Sequence, residues 1–156
     1  MSEHDERKQK DNEKQYQRWL SCGFVGEMRL NDCGWCVNGI SLSNHEQAKK
    51  VVLFDKWPFE SHIEYMQLPN KKWIAGSSIM CPLHGYCHGM SVWSKQYDTE
   101  SEAVTTELNR IEASLMDKDR KPFVVNAIQN CRNEFKEATF EAVFEPTAQF
   151  EQVSLF

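Results

Sequence analysis

Val104, Leu108, Ile111 and Leu115 recur at intervals of four, three and four residues, and Val124, Ile128, Cys131 and Phe135 repeat much the same rhythm further along the chain. That period places each set on one stripe of a helix, and a helix with a single apolar stripe must bury it against another element. The spacing predicts helices over about 100–116 and 122–137. Thr99 and Glu102 stand at capping-box distance before the first, and Pro122 can occupy the first turn of the second, where its missing N–H costs nothing. Burial accounts for the period without remainder, so both stripes are read as core rather than as a ligand box.

What the stripes cover has to come from upstream. HIEYMQL (62–68), WIAGSSIM (73–80) and MSVWSKQY (90–97) have strand composition, and Pro69-Asn70 supplies a bend between the first two. Three strands with short connections imply an antiparallel meander. VVLF (51–54) precedes them, stopped by Trp57-Pro58. Ser43 and Glu46 form another capping-box pair and predict a short helix there. The glycines at 23, 26, 34 and 39, with Asn31, Asp32 and Asn38, indicate turns between 23 and 40. The first twenty residues carry five acidic and five basic side chains, then Tyr16, Trp19 and Leu20, which reads as a solvated helix whose last turn docks on the body. The fold class expected is α+β: a small antiparallel sheet of about three strands covered by two C-terminal helices, with an N-terminal helix and a flexible C-terminal tail. The divisions are 1–20, a polar leader; 21–145, one domain; and 146–156, the tail, freed by Pro146-Thr147-Ala148.

At 156 residues the chain is about one ordinary domain. Its 18 basic and 23 acidic residues leave a formal charge of −5, which disfavours a body that grips nucleic-acid backbone through a broad basic face. No apolar run reaches the roughly 18 residues of a membrane span, and MSEHDERKQK lacks the apolar centre of a secretory signal. A cytoplasmic protein with no membrane partner is the expectation, and with it reduced thiols. No Gly-rich phosphate loop, G-x-S-x-G elbow or H-E-x-x-H helix occurs, and adjacent Cys87 and His88 do not make a catalytic pair by adjacency alone. The body is therefore expected not to be an enzyme.

Cysteine and histidine cluster in two places. CGWC supplies Cys33 and Cys36, and CPLHGYCH supplies Cys81, His84, Cys87 and His88. Two-residue spacing lets one turn present two ligands to a tetrahedral zinc, so Cys33, Cys36, Cys81 and His84 form a candidate structural zinc site, and Cys81-Pro82-Leu83-His84-Gly85 resembles a zinc knuckle with His in place of its second Cys. Against this stand the 44 residues between the pairs and the competing Cys87 and His88. Free thiols acting as small apolar residues are the simpler reading. A thioredoxin-like use of CGWC is weaker still, because VNG follows where a helix should open.

SVWSKQY running into DTESEAVTTELNRI loosely resembles, in order of elements, the sheet-plus-helix modules of integrase amino-terminal and AP2-like DNA-binding domains. The acidic balance departs from those basic families, and no DNA-binding surface is carried over. The chain ends in Gln152-Val153-Ser154-Leu155-Phe156. This pentapeptide resembles the bacterial sliding-clamp binding motif, Gln-Leu-Ser/Asp-Leu-Phe, with Val153 in place of the commoner Leu. By chance, such an ending arises on the order of once in 10⁵ chains. The resemblance implies that Leu155 and Phe156 fill an apolar pocket while the Gln152 amide fixes orientation. It implies a partner, the DNA polymerase sliding clamp, and a role as an accessory or regulatory protein of bacterial DNA replication, repair or mobile-element maintenance. The rivals are a zinc-stabilised binding module and a phage or plasmid counter-defence protein that occludes a DNA-binding enzyme.

Overall fold

The computed structural model describes the backbone of residues 1–148 and the side chains of residues 1–136. Helix α1 (Glu3–Ser21) leads, followed by β1 (Lys49–Lys56), β2 (Phe59–Gln67), β3 (Trp73–Cys81) and β4 (His84–His88). Helices α2 (Glu100–Ser114) and α3 (Pro122–Ala148) close the order, with a short 3-10 turn, Asp117–Asp119, between them. The strands form one antiparallel sheet in the order β1-β2-β3-β4. The α+β class and the meander stand, with four strands rather than about three.

Both apolar stripes do what their spacing requires. Val104, Leu108 and Ile111 of α2 and Val124, Ile128, Cys131 and Phe135 of α3 pack with Phe54, Phe59, Ile63 and Ile79 of the sheet. Each fully buried side chain of this kind contributes about 1.5–3 kcal/mol relative to exposure. Thr99 caps α2, its Oγ1 accepting from the Glu102 N–H at 3.1 Å. Pro122 is the first residue of α3, whose backbone continues to Ala148, past the expected end near 137 and through Pro146.

Among the described residues the opposite sheet face is covered at one end only. There Met66, Leu68 and Ile74 meet Trp19, Cys22, Leu42, Met90 and Val92. Helix α1 is not a leader docked by its last turn alone. Lys8 Nζ donates to the Cys33 carbonyl, the Asn12 amide donates to the Gly34 carbonyl and accepts from the Cys36 N–H, and Gln15 donates to the Asn38 carbonyl, all at 2.8–2.9 Å. Its polar side chains thus satisfy a loop whose own pairing is a single bridge between Leu30 and Cys36.

Three local expectations fail for stated reasons. The segment 90–97 is not a strand. Met90 and Val92 bond to Leu42 and Gly39 in an irregular pairing, and only Tyr97 bridges to Trp73, so the alternation there records burial without a ladder. The last strand is instead His84–His88, joined to β3 through Pro82-Leu83, where the sequence reads as loop. Ser43 begins no helix, because its hydroxyl donates to the Glu64 carboxylate across the fold rather than capping 44–46.

Candidate functional site

Gln152, Val153, Ser154, Leu155 and Phe156 lie outside the described residues. The four proposed zinc ligands lie within them, and the structure does not bring them together. Cys33 is exposed on the loop beside α1, and Cys36 is buried there, its thiol 3.4 Å from Asn38 Oδ1. Cys81 and His84 are register partners at the β3–β4 turn. Among the described residues no group of three or more His, Cys, Asp or Glu side chains is arranged to hold a metal ion. The two-residue spacings are met by local geometry instead: a hairpin turn for one pair and an Asn31-anchored turn for the other, in which the Asn31 carboxamide accepts from the Cys33 and Trp35 N–H groups. Burial pushes the Cys81 thiol up from its ordinary range, and the Asp119 carboxylate adds to the effect. That is the wrong direction for a thiolate ligand or nucleophile.

Two buried carboxylates were invisible to sequence spacing. Glu107, 2% exposed on α2, accepts from the Ser77 hydroxyl at 2.7 Å and lies 3.4 Å from Arg110 Nε, while the Tyr86 hydroxyl stands 3.2 Å from Ser77 Oγ. Glu64 on β2 accepts from the Ser43 hydroxyl and from the Met90 N–H at 3.2 Å. Both have donors aimed at them, which offsets the cost of burying their oxygens. They fasten α2 to β3 and the irregular loops to β2. Ser77 is itself 2% exposed, so this network is shielded from solvent.

A concave feature lies where α1 ends. Tyr16, Trp19 and Phe24 form a run of stacked rings, with centroids 5.8 and 5.6 Å apart and interplanar angles of 25° and 5°, and His45 meets Phe24 edge-on at 5.8 Å. Trp19 and Phe24, with Ile40 and Leu42, line a depression of about 520 Å³ that also takes in Arg29, Asn44 and His45. Gly39 is required at its edge. Its φ is +72°, and a Cβ there would stand 2.2 Å from a Val92 methyl. His45 also borders a second depression of about 280 Å³ that holds Lys49, Lys71 and Trp73. No carboxylate lines either one, in a chain with more acidic than basic residues. No single sequence motif marks this place, because it is assembled from the end of α1 and separated turns of the irregular connection between α1 and β1.

No protein-family model, curated protein or solved structure matches the chain. Function therefore has to be argued from residues and not from likeness of fold.

Proposed function

We propose that this protein is a non-catalytic accessory or regulatory factor of bacterial DNA replication, repair or mobile-element maintenance that docks on the polymerase sliding clamp through Gln152–Phe156. The observation that carries the reading is the pentapeptide itself: Gln, Ser, Leu and Phe stand where the clamp motif has them, with Val153 the one departure. Its two terminal side chains are large and apolar, and anchors of that kind dominate the affinity of a short peptide. The acidic chain suits recruitment through a protein partner better than direct attachment to DNA. Among the described residues no helix is long and apolar enough to cross a membrane.

Binding of the full chain to purified bacterial sliding clamp tests the proposal. Micromolar binding that the Leu155→Ala, Phe156→Ala double variant loses by at least about tenfold is the expected result. A parent chain that does not bind clamp overturns it.

A further inference from the structure

We propose that the bare half of the sheet face opposite α2 and α3 binds the same face of a second copy of this chain, about a two-fold axis that crosses the strands. Nothing in it depends on Gln152–Phe156. Strand pairing sets Val52, His62, Ser78 and Cys87 in one row across the sheet and Asp55, Glu60 and Met80 in the next, with Lys50 on the other side of the first row. Their chain neighbours Val51, Phe54, Phe59, Ile63, Ile79 and Tyr86 pack with the helices, so alternation turns these rows to the opposite face. There Val52 is 58% and Met80 52% exposed. Lys50, Asp55, Glu60 and Cys87 are exposed as well.

The charges select the partner. Asp55 and Glu60 are register partners, two carboxylates directly opposed, an arrangement that is unfavourable without a cation nearby. Among the described residues neither they nor Lys50 forms an ion pair, and Glu64 beside Lys50 already accepts from Ser43 and Met90. A face with a cation at one end, carboxylates at the other and apolar side chains between them is complementary to itself turned by half a revolution, which is the condition for an isologous interface. The axis runs along the central row, so Lys50 of each copy meets Asp55 and Glu60 of the other. Burial first, and Lys50 second, hold the His62 imidazole below its ordinary range, so the two rings that meet on the axis are uncharged at neutral pH. Shape agrees with charge. The layer around Trp19, Leu42 and Val92 stands on the Met66 end of this face alone, and the two-fold carries each such step beyond the hairpin turns of the other copy. Four strands about 4.8 Å apart and about six residues of 3.3 Å give a footprint on the order of 400 Å² a side. That is below the roughly 800 Å² per partner of a standard interface, and the dimer is accordingly weak and reversible.

Sedimentation equilibrium of the full chain at low salt, from about 10 μM to about 1 mM, tests the surface. The expected result is a monomer–dimer equilibrium with Kd on the order of 100 μM. Lys50→Glu should weaken it at least about tenfold, and so should Asp55→Lys combined with Glu60→Lys, because each sets like charges against each other at both ends of the interface. An equimolar mixture of the two variants restores opposite charges at both ends and should recover the parent's affinity to within about threefold. In a Cys33→Ser background, a short bismaleimide should join Cys87 to Cys87 of the second copy, since both lie on the axis row. A chain that stays monomeric to about 1 mM overturns the proposal. A dimer indifferent to both charge variants overturns it too, in favour of another surface, as does a mixture that fails to recover.

Discussion

Cys131 shows how far a single side chain can be read. Its place in the stripe of α3 was legible from spacing, and it is 5% exposed against the sheet. Burial first, and the nearby Glu134 carboxylate second, push its thiol from an ordinary 9.0 up to about 11. Between those values the unfolded chain has released a proton that the folded chain still holds. Unfolding is thereby favoured as pH rises, and the stability present below pH 9 is lost progressively towards pH 11. The loss is on the order of 2 kcal/mol, and Cys131→Ala should flatten that limb of the pH–stability curve, measured by urea unfolding, while costing some packing at every pH. Of the six thiols, Cys33 and Cys87 are exposed, so a thiol reagent on the native chain should label these two ahead of the rest. Ser77 was not legible, because its partner Glu107 lies thirty positions away on another element. Removing its hydroxyl strips a donor from a buried carboxylate, and Ser77→Ala should cost about 1–3 kcal/mol in the same assay.

Elements were legible where the signal is local and obscured where a distant partner decides. Thr99-x-x-Glu102 and Ser43-x-x-Glu46 have the same form, yet only the first caps a helix. The difference is Glu64, which captures the Ser43 hydroxyl, and Leu42, whose N–H is already committed to the Met90 carbonyl. Thr99→Ala should therefore cost about 1 kcal/mol, whereas Ser43→Ala should act through the buried Glu64 and not through helix content by circular dichroism. Likewise, the turn at Pro82-Leu83 brings out β4, and 90–97 loses its ladder to the loop at 39–42, neither of which a window on the sequence can weigh. The stripe of α2 is the firmest test of element packing. Leu108 is fully buried between α3 and the sheet, so Leu108→Ala should lower the unfolding free energy by about 2–5 kcal/mol. An unchanged denaturation midpoint would remove α2 from the core.

At the scale of the molecule, the depression beside α1 and the terminal pentapeptide differ in how they are encoded. The first needs Arg29 and His45 carried to the rings of α1 by loops without regular structure, so composition and period could not reveal it. The second is contiguous and stands in plain view from Gln152 to Phe156. A peptide that serves a partner has to be presented to it, and side chains so presented do not hold the body together. Replacing Leu155 and Phe156 by Ala removes most of the apolar area the peptide offers; at about 25 cal/mol per Å², clamp affinity should fall tenfold to a hundredfold. A peptide presented in this way supports no fold, so the same variant should melt within about a degree of the parent. The two measurements together decide between presentation and burial. A double variant that is strongly destabilised, from a parent that ignores the clamp, would make Leu155 and Phe156 part of the packed body and leave the accessory role without its anchor.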